Sequence, residues 1–245
     1  MLPDQWANRF CDVADLDASY EELEDFDDDV DCLMQQGRIR SLQSLWDEAD
    51  TLLQRAAACV EQVECSRERA IKASKIEIYS RGNHLLATQE AHPRCPGYWV
   101  ESDDKEGQKI LDAALQLDAL ENAIAGEWEE TKAIVAEWLL ATRRRDCNKA
   151  IWQLGLAMAE HVLGNNDEAR CRAELAGLEI VSRHRLLNQA FFGARMISAY
   201  NVLGEPEEAQ GWETFFNRLP VSTETKRAAL KRSRVLEPSP AMGFG

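Results

Sequence analysis

Alternation of apolar and polar residues, the mark of a half-buried strand, is almost missing from this chain, and helical spacing replaces it. No apolar run approaches the roughly eighteen residues that span a bilayer, so no membrane segment is expected. Positive charge is also short, with 28 Lys and Arg against 43 Asp and Glu and a formal net charge of −15. That deficit argues against a general phosphate-neutralising surface. Direct nucleic-acid binding is therefore not expected, and a protein partner with a basic surface is favoured.

Residues that carry chemistry are sparse. The four histidines (His84, His92, His161 and His184) form no Glu-x-x-His pair of the kind that builds a di-iron bundle. His92-x-x-Cys95 has a ligand-like spacing but stands alone, so no metal is expected. Seven cysteines, an odd number at irregular spacing, suit reduced thiols better than a disulfide framework. The opening stretch MLPDQWANRFCDVADLD has no basic segment followed by an apolar one, which predicts no secretory signal. Together these features point to a cytoplasmic location. There is no Gly-rich phosphate loop, nucleophile elbow or Cys–His dyad, so a cofactor-free, non-catalytic protein is expected.

What the chain does have is acid, apolar helical stripes and an internal repeat. Asp12 to Asp31 holds eleven acids and no base. Asp25, Asp27, Asp28, Asp29 and Asp31 form a candidate acidic docking face; their order lacks the central Gly and late Glu of a calcium loop. Leu2, Trp6, Phe10 and Val13 predict a first helix. Ser19 and Glu22 read as a capping box for a second, and Gly37 as its stop. From Ser41, the residues Leu42, Leu45, Ala49, Leu52, Ala56, Cys59, Val63, Ser66, Ala70 and Ala73 alternate steps of three and four. They predict one long heptad helix, interrupted at Gly82-Asn83 and ending near Ala91. Its seam needs a partner helix, in the same chain or in a second copy. A homodimer through the 41–80 helix is one arrangement the seam allows. The stretch 92–104, with its prolines and glycines, is read as a loop and as the main boundary.

Beyond it the chain repeats itself. Ala159 to Arg170 (AEHVLGNNDEAR) matches Ala199 to Gln210 (AYNVLGEPEEAQ), with Gly164 and Gly204 standing 40 residues apart. Ile151-Trp152 likewise matches Phe191-Phe192, and a weaker copy surrounds Gly126 with Glu129-Glu130. In each copy a helix ends at a left-handed glycine, and acids open the next helix, where the dipole favours them. Helical hairpins are therefore expected at about Lys105–Arg143, Asp146–Arg183 and Arg185–Leu219. They would stack to bury faces that none can hide alone, under a basic capping helix from Thr223 to Val235. Trp128, Trp138, Trp152, Phe191, Phe192, Trp212 and Phe216 are expected mainly to fill that core.

The small-residue, Gly and later Ala pattern, with an aromatic early in the first helix, resembles the tetratricopeptide repeat family over roughly Lys105 to Leu219. The spacing departs from it, being 40 here against about 34 there. The resemblance implies a scaffold or peptide-binding module whose first helices line a concave surface. On those helices Gln153, His161, Arg195, Ser198 and Asn201 would meet the partner.

The sequence thus predicts an all-α protein. Acidic helices and a heptad helix occupy 1–91, a loop 92–104, a tetratricopeptide-like hairpin stack with its cap 105–235, and a tail 236–245. The expected function is an adaptor for a helical or extended protein segment. One alternative is an acidic nucleic-acid mimic that blocks the basic channel of a nucleic-acid-handling complex. Another is a purely structural subunit.

Overall fold

A computed structural model describes residues 15–24, 26, 29–88, 90, 105–141, 147–180 and 186–234. Among these residues there are eleven helices and no strands: α1 (Leu16–Glu24), α2 (Val30–Leu42), α3 (Trp46–Val60), α4 (Ser66–Thr88), α5 (Lys105–Ala125), α6 (Trp128–Ala141), α7 (Cys147–Val162), α8 (Asn166–Ile180), α9 (Leu186–Val202), α10 (Pro206–Arg218) and α11 (Thr223–Arg234). The fold is all-α. The chain separates into two compact units, 1–121 and 122–245. The packing boundary therefore falls inside α5 and not in the 92–104 stretch. That stretch, His92-x-x-Cys95 within it, the expected first helix and the 236–245 tail all lie outside the described residues.

In the N-terminal unit several local expectations are replaced. Helix α1 begins three residues before the expected capping box. The Asp15 carboxylate accepts the amides of Asp17 at 3.0 Å and Ala18 at 3.2 Å. Ser19 lies inside the helix, its hydroxyl donating to the Asp15 carbonyl at 2.7 Å. Gly37 does not end α2. It sits inside the helix, where an added Cβ would come within 2.9 Å of Leu53 Cγ, so its bareness admits α3 at close range.

The long heptad helix is two helices. It breaks over 61–65, where the Val63 carbonyl accepts bonds from Arg69 Nε at 2.8 Å and Nη2 at 2.6 Å. Folding back lets the seam close on its own chain. Leu52, Ala56, Val60 and Ile76 pack with Val30, Leu33 and Met34, and Cys59, Val63 and Ala73 lie against them. Gly82-Asn83 does not interrupt α4. Asn83 is buried and its amide donates to the Trp46 carbonyl at 2.9 Å, while Gly82 accommodates Leu117. Beside them Arg81, only 2% exposed, pairs with Asp118 at 3.2 Å and Glu121 at 3.0 Å. Burial works against the Arg81 charge, but the bonds it donates to Glu121 and then Asp118 outweigh it and raise its pKa.

In the C-terminal unit the three glycines stand where the repeat predicts, at left-handed turns. Gly126, Gly164 and Gly204 have φ of 83°, 85° and 74°. Each turn closes the same way. Gly164 N donates to His161 O at 3.0 Å and Asn165 N to Glu160 O at 2.8 Å; Gly204 and Glu205 bond identically to Asn201 and Tyr200, and Gly126 and Glu127 to Ala123 and Asn122. This is a Schellman closure, which satisfies carbonyls that a helix end otherwise leaves open. Helix α7 packs on α8, α9 on α10, α8 on α9, and α9 on α11. Their shared core is rich in alanine (Ala150, Ala157, Ala169, Ala173, Ala176, Ala199 and Ala209) with Leu154, Phe192, Met196 and Tyr200 among them. Small residues set the helices close together; the larger ones fill the space between. Helix α11 is capped by Ser222, whose hydroxyl accepts the Thr225 amide at 3.1 Å, and Ala229 and Leu230 seat it on α9.

Candidate partner-binding surface

The five residues proposed for partner contact all lie in the C-terminal unit, on α7 and α9, but the structure gives them different duties. Gln153 is buried and accepts a bond from Arg172 Nη1 of α8 at 3.4 Å. His161 Nδ1 lies 2.8 Å from the Asn166 side-chain oxygen, across the α7–α8 turn. Arg195 and Ser198 share one strip of α9, three residues apart and both half-buried. Asn201 is exposed, on a different side of that helix. Arg195 and Ser198 are thus brought together, while Gln153 and His161 join α7 to α8.

The remaining polar residues along α7 act in the same way as Gln153. Lys149 pairs with Glu179 of α8 at 3.7 Å. Glu160, 6% exposed, meets Lys132 Nζ of α6 at 3.1 Å and the Asn165 side-chain amide at 2.8 Å. The sequence pattern singles out neither Glu160 nor Lys132. A signal was present, since Glu160 begins the Glu-His-Val-Leu-Gly stretch and a turn amide was bound to lie beside it. Aromatics complete the joint: Trp138 of α6 stacks on Trp152 of α7 with ring centroids 4.7 Å apart and planes at 16°, and both rings are buried. Trp138, Trp152, Phe192 and Phe216 fill the core, whereas Trp128, Phe191 and Trp212 remain half-buried.

Along α9 the pattern changes. Asn188, Phe191, Ser198 and Val202 lie at −7, −4, +3 and +7 from Arg195, so all five form one helical strip, and each is half-buried. Among the described residues no carboxylate faces the Arg195 guanidinium. Burial alone pushes its pKa down from the ordinary arginine value. The side chain keeps some exposed surface, yet it lies deep enough for desolvation to be felt. Tyr200, on the core side of α9, is pushed up by burial and then by Glu174, Glu208 and Glu205.

The acidic face is partly engaged within its own unit. Asp29 caps α2, accepting the amides of Asp31 at 2.9 Å and Cys32 at 3.0 Å. Asp31 pairs with Lys72 of α4 at 3.0 Å. Asp25, Asp27 and Asp28 lie outside the described residues. Cys32 is buried, and burial followed by the neighbouring Asp29 pushes its thiol up to about 12. Cys65 and Cys171 are exposed free thiols. Among the described residues no three His, Cys, Asp or Glu side chains gather as metal ligands, and no helix is long and apolar enough to cross a membrane. Comparisons with family models, with curated proteins and with solved structures return no match for this chain.

Proposed function

We propose that this chain is a non-catalytic adaptor that holds a helical or extended protein segment against the α9 strip of its C-terminal unit. The observation that carries the reading is the contrast between strips. On α7 the polar residues are tied to neighbouring helices, whereas on α9 the half-buried Arg195 meets no carboxylate among the described residues. The repeated glycine turns support it further, because rows of helix pairs offer extended surfaces for other chains. The net charge of −15 favours a partner with a basic surface and hastens its approach at low salt.

The mimic alternative draws on five aspartates, of which Asp29 and Asp31 have structural work in the N-terminal unit. The assembly alternative has the acidic hairpin dock on the basic Lys226–Arg234 helix, within one chain or between two, and serve assembly alone. The adaptor reading needs neither. Its test is affinity capture with the full chain and with the Arg195→Ala, Asn201→Ala double variant, compared by quantitative mass spectrometry. At least one protein should be retained by the parent and reduced about tenfold or more on the variant, equivalent to about 1.4 kcal/mol. An identical retained set, with the variant still folded by circular dichroism, would refute the reading.

A further inference from the structure

We infer that the outward face of α8 docks a partner helix that presents a leucine stripe and carries lysine or arginine at one end. This is a second surface of the C-terminal unit and does not depend on the α9 strip. Among the described residues four large apolar side chains are exposed, Leu45, Leu111, Leu175 and Leu178, and the last two share this face. Leu178 is 76% and Leu175 39% exposed, and with the exposed Cys171 they fall at 0, +4 and +7 along one strip. A single exposed leucine is ordinary, but apolar residues at that spacing are the anchors by which one helix lies along another. The strip is not the core face of α8. Ala169, Ala173 and Ala176, all 0% exposed, already supply that face to the shared core.

The repeat shows that its frame does not demand leucine here. At the forty-residue offset Leu178 becomes the exposed Arg218, while Phe215, in place of Leu175, turns in to lie edge-on to Trp212 at 5.4 Å. Gly126 stands 38 residues before Gly164, and at that offset Leu175 becomes the exposed Glu137. Charge then names the occupant. The strip starts beside Asp167 and Glu168 and is bordered by Glu174, all three exposed. Two ion pairs bring the neighbouring turns to the same end of the unit: Lys132 of α6 with Glu160, and Arg170 of α8 with Glu205. Over 127–132, 167–174 and 205–208 that end carries nine carboxylates and three cations, and the third cation, Arg172, is held by Glu168. A helix with a basic end is therefore attracted to the strip. A second copy of this chain, bringing the same acids to the same strip, is repelled.

The test uses the full chain at about 0.15 M salt. Two end-blocked probe peptides are compared: acetyl-Ala-Leu-Ala-Gln-Ala-Leu-Ala-Gln-Leu-Lys-Ala-Lys-Leu-Lys-Lys-amide, and the same sequence with Glu for every Lys. The readout is the rate at which iodoacetamide alkylates Cys171, followed by peptide mass spectrometry, with the exposed Cys65 as a reference thiol in the same chain. The lysine peptide should slow Cys171 at least about tenfold, saturably, and leave Cys65 unchanged. The glutamate peptide should need at least about tenfold more for the same protection. Leu178→Gln should abolish protection without moving the melting temperature, and Leu111→Gln, on α5, should keep it. Equal protection by the two peptides, no protection, or protection that survives Leu178→Gln overturns the inference. A melting temperature lowered by Leu178→Gln overturns it too, by showing that the leucine serves the fold. So does a dimer in light scattering that Leu178→Gln disperses, which places a second copy on the strip. None of these outcomes bears on the α9 strip, which the capture experiment with Arg195→Ala, Asn201→Ala judges separately.

Discussion

Helices α7 and α9 occupy the same place in successive copies of the repeat, yet they are held by different forces. Aligned at the forty-residue offset, the Gln153–Arg172 bond of the first copy becomes Gly193 and Trp212 in the second. Trp212 lies edge-on to Phe192 and Phe215, at 6.1 and 5.4 Å, and reaches the bare face of Gly177. The buried Glu160 becomes Tyr200, and Gly155 becomes Arg195. One backbone frame is thus pinned by polar bonds in one copy and by aromatic packing in the next.

The comparison predicts a graded set of effects. Phe216, 2% exposed between α9 and α11, should be the most sensitive position. Phe216→Ala should lose about 3–5 kcal/mol in urea unfolding, through lost burial and the cavity left behind. Glu160→Ala should lose less, about 1–3 kcal/mol, because Lys132 is 34% exposed and can turn to water. A Glu160 loss equal to the Phe216 loss would erase the distinction between the copies. Gly164→Ala and Gly204→Ala should each lose about 1–2 kcal/mol, and by similar amounts, since both have left-handed φ and open space around the missing side chain. Unequal losses would show that the two turns are not equivalent. Last, native alkylation at pH 8 should label the peptides carrying Cys65 and Cys171 and spare Cys32. With its pKa raised to about 12, Cys32 stays a neutral thiol as pH rises past the ordinary thiol value, so its labelling should appear only in urea.

A fourth copy of the turn lies in the N-terminal unit, where the glycine pattern gives no sign of it. Ser44 has φ of 61°, and its bonds match those of the glycine turns: Ser44 N to Ser41 O at 3.1 Å, Leu45 N to Arg40 O at 2.9 Å, and Ala49 N to Leu45 O at 3.0 Å. Glu48-Ala49 follows Ser44 just as Glu168-Ala169 follows Gly164. The signal is present in the sequence, but serine stands where the pattern calls for glycine. Ser44→Gly should therefore stabilise the protein by about 1 kcal/mol, the relief of a left-handed side chain, measurable as a raised urea midpoint.

The expectations that the fold replaces share one cause. Glycine weakens a helix locally, which makes Gly37 and Gly82 read as stops; in the fold each lies where another helix needs room, against Leu53 and Leu117. The heptad seam holds as a packed stripe at Leu52, Ala56, Cys59, Val63 and Ala73 but not as a rod, and Leu45 and Ser66 at its turns are exposed. Of the candidate surface, the sequence could place Arg195 and Ser198 on one helix strip. It could not show that Gln153 turns toward Arg172, because that depends on how α7 and α8 are rotated against each other.

Local and near-periodic features were determined by the chain alone: helices throughout, left-handed bends at Gly126, Gly164 and Gly204, acids opening the next helices, and alanines where helices meet. These depend on φ preferences, capping and apolar spacing, which act within a few residues. The break at 61–65, the burial of Arg81 between Asp118 and Glu121, and the half-burial of Arg195 were settled only by tertiary packing. Each turns on which distant side chain comes within about 4 Å, and electrostatic and packing energies at that range depend on three-dimensional neighbours, not on order along the chain.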